Sequence, residues 1–279
     1  MTAADAARLV TLAAIWGASF LFIRIAAPVI GPVATADLRM LIAGAALAIY
    51  YAVTGFDAQW RRRWREYLAI GALNSAAPFL LYAYAALELS FGLLAVLNAT
   101  APMWAALLGA VALREPLTIR RVTGLVVGMA GVAIVSGPEA STRWLSIAAA
   151  LGAALCYALT AIALKRWGGG GTARGMAVGT QLAGGVLLLP LLAVAPPANL
   201  TPGVAGAMLA LGVVCGALAY VLYFRLVADI GATGTLTVTY LIPLFGVLWG
   251  ALALGEALTA ARVLGALVVT VGTVLVLRG

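Results

Sequence analysis

Two stretches decide the fold: PMWAALLGAVALREPLTIRRVTGLVVGMAGVAIV, residues 102–135, and PLFGVLWGALALGEALTAARVLGALVVTVGTVLV, residues 243–276. Laid over one another at a shift of 141 residues and without a gap, they agree at fifteen of thirty-four positions. Leu and Ala bias alone gives about three to six matches in such a window. The identities also include residues that bias does not supply: Pro102 with Pro243, Glu115 with Glu256, Thr118 with Thr259, Arg121 with Arg262, Gly124 with Gly265 and Gly131 with Gly272. Carried outward, the same shift sets Trp16 on Tyr157, Ser19 on Thr160, Arg24 on Lys165, Tyr82 on Tyr223 and Glu88 on Asp229. The chain therefore reads as one domain, 1–279, made of two copies of one unit, 1–138 and 142–279.

The solvent of that unit follows from composition. Of the 279 residues 65% are hydrophobic and 9% charged, and the mean hydropathy is +1.11. A soluble domain is about a quarter charged, so this chain lacks the polar surface to cover a globule in water. Apolar runs fall at 9–27, 34–54, 67–86, 91–113, 121–137, 144–164, 175–195, 203–224, 232–254 and 261–277. Each suits the roughly 20 residues that a bilayer crossing needs. The breaks are Pro28 and Pro32, the basic run Arg61 to Arg65, Arg114-Glu115-Pro116, Gly137-Pro138, the inside loop Gly168 to Gly171, Pro196-Pro197 and Gly255-Glu256. Ten crossings leave no length for an attached soluble domain. The absence of histidine excludes histidine-ligated zinc and Ser-His-Asp chemistry. Cys156 and Cys215 lie apart in apolar runs and read as small hydrophobes. No cofactor or metal is expected.

Charge placement sets the topology. With both termini cytoplasmic, thirteen of the seventeen basic residues lie in inside connections or tails, and only Arg143 and Arg262 lie outside, while Arg24 and Arg39 fall within spans. That asymmetry follows the positive-inside rule. It assigns the net charge of +8 to an anionic inner leaflet rather than to nucleic acid.

Five crossings per copy is an odd number, so the second copy enters the membrane upside down relative to the first. The expected fold is an all-α integral membrane protein, ten transmembrane helices forming two inverted five-helix repeats around a central cavity. This is the plan of secondary transporters, whose solute site lies near mid-depth where the repeats meet.

Polar and aromatic residues inside spans are costly against lipid and turn inward. Asn74, Pro78 and Tyr82 recur every four residues on one face of the third helix. The fourth offers Asn98 before Pro102, and the ninth offers Thr239 and Tyr240 before Pro243. Trp16, Ser19, Tyr157, Gln181 and Tyr220 complete the solute-lining set. Pro102 and Pro243 each remove a backbone donor and predict kinks. Arg24, Asp37 and Arg39 are read as a small ion-pair cluster that serves structure, an outer gate or a grip on a carboxylate. Glu115 and Glu256 are expected to cap the helix that follows each. The Gly-xxx-Gly spacings beginning at Gly124, Gly175, Gly212 and Gly246 predict close helix approach. The first is also available to a homodimer, the alternative to a monomer.

These residues carry a family resemblance. IWGASFLFIR (Ile15 to Arg24), ADLRMLIAGAAL (Ala36 to Leu47) and the twin turns LREPLT and LGEALT resemble the drug/metabolite transporter superfamily, in its ten-helix exporter branch with two EamA-type repeats. The resemblance spans nearly the whole chain. It implies a bacterial inner-membrane exporter of small metabolites, commonly amino acids or their relatives. It also implies a basket in which helices 1, 3, 4, 6, 8 and 9 surround the cavity, with helices 5 and 10 outside.

The expected partners are a small-molecule solute and the lipid bilayer, and the expected mechanism is alternating access. A nucleotide-sugar or sugar-phosphate carrier needs several mid-span Lys or Arg residues, which are scarce here. A non-transporting scaffold or receptor gains nothing from inverted symmetry. An intramembrane enzyme needs a base and a nucleophile within reach, and neither is evident.

Overall fold

The computed structural model describes residues 2–137, 142–167, 172–197 and 200–278. Two expected breaks, Pro138 and Gly168 to Gly171, lie outside the described residues. Every described element is helical: α1 Ala3–Ile30, α2 Pro32–Val53, α3 Trp60–Ala85, α4 Phe91–Leu113, α5 Ile119–Ser136, α6 Trp144–Trp167, α7 Ala173–Val194, α8 Pro202–Gly231, α9 Val238–Leu254 and α10 Ala260–Leu277. Nine of these are long and apolar enough to cross a bilayer, and α9 is an apolar helix of 17 residues. The protein is thus a ten-helix membrane protein.

Local chemistry starts these helices. Thr2 and Asp5 form a capping box on α1, with Thr2 Oγ1 accepting from Asp5 N at 3.2 Å and Asp5 Oδ2 accepting from Thr2 N at 2.8 Å. Thr118, Thr172, Thr201 and Thr259 each accept the N–H three residues on, at the heads of α5, α7, α8 and α10. Gly31, at φ +83°, turns the chain between α1 and α2, and Pro32 opens α2 where its missing N–H costs nothing.

Three expected limits are corrected. The run Arg61 to Arg65 belongs to α3, which opens at Trp60, because those long side chains extend into water from the first turns. Pro28 does not end α1, which continues to Ile30. The ninth helix begins at Val238 rather than 232, since Gly231 at φ +77° and a turn at 236–237 interrupt the chain first.

The helices pack in a self-consistent exchange. α5 lies along α10, α2 along α7 and α4 along α9. α1 packs on α8 and α9, and α6 packs on α3 and α4; α2 meets α8, and α7 meets α3. Replacing each helix of the first five by its counterpart in the second maps these pairs onto themselves. With five crossings per half, the operation exchanges the membrane faces. We call the face where α1 starts and α10 ends the terminal face, and the other the distal face.

Glycine sets the closest approaches. A Cβ on Gly124 would lie 2.7 Å from Gly272 O, and one on Gly272 would lie 2.5 Å from Gly128 N. The first Gly-xxx-Gly is therefore consumed inside the molecule by α10 and is not free for a dimer. Gly212 and Gly216 admit Ile42 and Ala43 of α2 in the same way.

The two ends differ. At the distal end Phe20, Ile23, Ala26, Ala27 and Ile30 of α1 join Tyr82, Ala83 and Ala85 of α3, Ala86 just after it, and Phe91 and Leu93 to Leu97 of α4 in an apolar core. At the terminal end a smaller cluster of Leu9, Leu12 and Ala13 meets Ala219, Leu226 and Val238. Leu89, Ala95 and Val96 are sealed, whereas their counterparts Ile230, Leu236 and Thr237 keep exposed surface.

Candidate functional site

Most of the predicted lining residues converge where α1, α2, α3, α4, α6, α7 and α8 meet. Tyr82 OH donates to Asn98 Oδ1 at 2.9 Å, tying α3 to α4. Its ring stands edge-on to Phe20 at 5.3 Å and lies 6.4 Å from Tyr157 of α6. Trp16 of α1 meets Tyr220 at 6.4 Å and Tyr223 at 5.6 Å, both on α8. Tyr220 OH accepts from Gln181 Nε2 of α7 at 3.5 Å, and Asn74 of α3 lies near the same hydroxyl. These contacts form two sets, Tyr82 with Asn98 and Tyr157, and Trp16 with Asn74, Gln181 and Tyr220. Tyr157 and Tyr220 lie within electrostatic range of each other, so that the two sets make one polar-aromatic group. Trp16, Asn74, Asn98, Tyr157 and Tyr220 stay partly open to water.

Arg39 enters the same group. Its guanidinium stands 3.7 Å from the centre of the Phe79 ring, and it lies within electrostatic reach of Tyr157, Cys215 and Tyr220. The expected ion-pair cluster with Arg24 and Asp37 is not formed. Arg24 Nη1 donates to Ala86 O at 2.9 Å at the distal end, and Asp37 is buried with both oxygens unpartnered. Two positions along a helix turn side chains about 200° apart, so Asp37 and Arg39 point to different neighbours.

Two irregular segments aim these groups. Residues Ala72–Ala76 of α3 and Ala210–Leu218 of α8 adopt the wide i→i+5 turn. Shifted by 141, the first falls inside the second. Wide turns inside α-helices cluster at functional sites because they rotate the following side chains by part of a turn. Here they present Asn74 on α3, and Cys215 and Tyr220 on α8. The strict four-residue face read through Asn74 and Tyr82 is replaced by this wider turn, and Pro78 is buried one turn beyond it.

Several expected residues lie elsewhere. Ser19 Oγ donates to Trp16 O at 2.7 Å on its own helix. Thr239 Oγ1 donates to Leu236 O at 2.8 Å, and Tyr240 lies within reach of Arg278 at the terminal end of α10. α4 breaks at 99–100, just before Pro102, and Thr273 Oγ1 of α10 donates to the freed Ala99 O at 3.0 Å. Pro243 instead lies within a continuous α9, whose break falls earlier, at 236–237. The sequence reading missed Phe20, Phe79, Cys215 and Tyr223. For Tyr223 the signal was its register with Tyr82.

The duplicated turns hold the same local geometry. Glu115 N donates to Gly109 O at 3.2 Å and Glu256 N to Gly250 O at 3.0 Å. Arg121 Nη1 donates to Pro116 O at 3.3 Å and Arg262 Nη1 to Ala257 O at 3.0 Å. Neither glutamate caps the next helix, since Thr118 and Thr259 occupy that role. Glu256 takes the head of α4, accepting from Phe91 N and Gly92 N. Glu115 takes Lys165 Nζ. The hydrogen bond from Lys165, with the charges of Lys165 and Arg121 beside it, holds the Glu115 carboxyl below the usual carboxylate range. Asp229 at the terminal end of α8 pairs with Arg8 of α1 at 2.8 Å.

Beside the group, α1, α8 and α9 border an apolar groove of about 370 Å³ lined by Ile15, Phe22, Cys215, Phe245 and Trp249 among others. Cys215 Sγ donates to Ile15 O at 3.3 Å, so one wall separates groove and site.

The comparisons with known proteins agree with this architecture. The model of the EamA-like transporter family matches residues 7–137 and 144–278. An uncharacterized transporter, YvbV, of Bacillus subtilis is 26% identical over 271 residues, covering 95% of this chain and 88% of its own. A probable terminal-alkyne amino-acid exporter of Streptantibioticus cattleyicolor is 27% identical over 270 residues, covering 94% and 90%. A protein of known crystal structure superposes with a TM-score of 0.71 at 17% identity, over 99% of this chain and 96% of that one, a likeness of fold.

Proposed function

The chain belongs to the EamA-like transporter family of the drug/metabolite transporter superfamily, and from that premise we propose that this membrane transporter exports small amphipathic metabolites, amino acids above all, by alternating access. The observation that carries the reading is the unequal state of two equivalent ends. Tyr82 donates to Asn98 in the first copy, while in the second the residue at the position of Asn98 is Thr239, whose hydroxyl donates to Leu236 O instead. The distal end is sealed at Leu89, Ala95 and Val96, whereas the equivalent Ile230, Leu236 and Thr237 at the terminal end keep exposed surface, with the polar-aromatic group between them. A carrier built from inverted copies alternates by letting each copy adopt the conformation of the other. We read this arrangement as one such state, with the terminal end the less tightly packed of the two.

Placing that face in the cytoplasm follows from the basic residues it gathers, and a cytoplasmic opening is where an exporter loads. The two units, 1–138 and 142–279, are the moving halves. Trp16, Tyr157 and Tyr220 offer aromatic faces to an apolar side chain, and Asn74, Asn98 and Gln181 offer replaceable hydrogen bonds. The S. cattleyicolor relative, named as an amino-acid exporter, supports the solute class. A nucleotide sugar is disfavoured because Arg39 is the one basic residue in the group, too little for several phosphate charges.

The test is solute release. Purified protein in liposomes preloaded with labelled amino acids is expected to release at least one faster than protein-free vesicles do. Equal leakage with and without protein, across the panel, removes the export reading.

A further inference from the structure

Arg39 is enclosed by the protein, yet part of its surface stays reachable by water. Among the described residues it makes no ion pair and no hydrogen bond, and its contact is the face of Phe79. Other basic residues near the ends of the bundle are occupied: Arg24 by Ala86 O, Arg8 by Asp229, Lys165 by Glu115 and Arg166 by Ala112 O. A guanidinium stays charged in any protein environment. Holding one inside a membrane protein without a counter-charge is costly unless water or a ligand completes it. The nearest carboxyl along the helix, Asp37, has no hydrogen bond to it or to any other group.

A second vacancy lies close by. Gln181 Oε1 is buried and accepts nothing, although Gln181 Nε2 reaches the hydroxyl of Tyr220, a residue within electrostatic range of Arg39. The site thus holds an unmet cation fork and an unmet acceptor around one phenol, with aromatic rings on either side. The complement is a small molecule with a carboxylate, an ammonium and an apolar side chain.

We propose that Arg39 is the specificity residue of the solute site, binding the α-carboxylate of an exported amino acid in its guanidinium fork while Gln181 Oε1 accepts from the α-ammonium. This rests on the transport reading above and narrows it to carboxylate-bearing zwitterions. Phe79 backs the guanidinium by cation–π contact, which holds the fork in place, and Tyr157 and Tyr220 are the phenols within its electrostatic range. A planar fork matches a carboxylate in two parallel hydrogen bonds, which an amide does not reproduce.

The experiment compares efflux of labelled leucine, phenylalanine and tryptophan with efflux of their α-amides from proteoliposomes, with protein-free vesicles as blank. The wild-type protein is expected to export the acids at least about tenfold faster than the amides, since a site built around a charged hydrogen-bonding group discriminates strongly against its loss. Arg39→Gln is expected to bring acid efflux down to the amide rate, and Arg39→Lys to keep part of the preference. Equal wild-type efflux of acids and amides overturns the assignment and leaves transport standing. Full acid efflux by a folded Arg39→Gln protein also overturns it. No efflux of either form overturns the transport reading and this inference together. If Arg39→Gln does not fold, the wild-type comparison alone decides.

Discussion

Glu256 Oε1 accepts the backbone N–H of Phe91 at 2.8 Å and its Oε2 that of Gly92 at 3.3 Å, whereas Glu115, its counterpart one copy earlier, is held by Lys165 Nζ at 2.8 Å. The same residue in the same turn has different partners at the two faces. The head of a helix presents unsatisfied N–H groups at its positive end, so the docked carboxylate binds the distal end of α4 to the α9–α10 turn. Glu115 stands at the corresponding turn of the terminal face, undocked. On the alternating-access reading proposed above, the pair acts as a latch, engaged at the distal end and released at the terminal one.

Glu256→Gln is therefore expected to loosen the distal end. Replacing the carboxylate by an amide removes hydrogen bonds to a charged acceptor, a loss of about 1–3 kcal/mol. We expect Leu94→Cys, buried in the wild-type packing, to be unreactive toward a maleimide when the native cysteines are replaced and to become reactive once Glu256→Gln is added. Glu115→Gln serves as the control and should leave it unreactive. Labelling that Glu256→Gln does not change would show that the contact bears no part in closure.

α5 and α10 allow a sharper stability test. Gly272 faces Gly128 N and Gly124 O, backbone on backbone, so no side-chain rotation relieves an added Cβ. Gly272→Val should cost at least the 1–3 kcal/mol typical of overpacking and lower the melting temperature in detergent. Gly203→Ala, with nothing near its Cβ, should leave the melting temperature within a degree or so. Equal effects from the two would mean the seam is not packed as described.

The repeat, the ten crossings and the twin turns were legible because period and charge survive in sequence. The site was legible in its residue types and less so in its geometry. Asn74, Tyr82, Asn98, Tyr157, Gln181 and Tyr220 announce themselves as polar groups in apolar runs, but nothing in 72–76 or 210–218 spells out a wide turn. Arg39 was misassigned because proximity to Asp37 in sequence suggested a pair that helical geometry forbids. Glu256 was misassigned because its partner lies 165 residues away, beyond any local rule. Thr239 and Tyr240 failed for another reason: the chain turns at 236–237, so α9 starts late and both lie in its first turn.

The Glu115–Lys165 pair gives a pH dependence with a definite sign. A carboxyl held below its usual range in the folded protein stabilises it at neutral pH, and that contribution is lost only as pH falls through the lowered value. Because both side chains reach water, the contribution is small, under about 1 kcal/mol. Lys165→Gln should therefore move the acid limb of the melting-temperature profile to higher pH. An unchanged limb would show that Lys165 does not hold the carboxyl.

Orientation is testable at Arg61 to Arg65, on the terminal face at the start of α3. Single cysteines there, with both native cysteines replaced, should label in inverted membrane vesicles and stay unlabelled in intact cells. Labelling of intact cells would turn the molecule over. The opening would then face the outside and the proposed direction of transport would lose its loading end.

The difference between Tyr82–Asn98 and Tyr223–Thr239 yields a test of alternation itself. Tyr82→Phe removes the hydroxyl that ties α3 to α4, at a cost of about 1 kcal/mol. If that bond helps hold the distal end shut, its loss should raise the reactivity of Leu94→Cys and reduce solute release. Thr239→Asn works in the opposite direction, giving Tyr223 the acceptor that Tyr82 already has. With both ends then able to close alike, the terminal end should shut more often, and a cysteine at Leu236, exposed in this state, should lose reactivity. A bias of about 1.4 kcal/mol corresponds to a tenfold change in the ratio of the two states, within reach of a labelling rate. If Tyr82→Phe and Thr239→Asn leave both cysteines as they were, the two tyrosines do not participate in opening and closing, and the unequal ends need another cause.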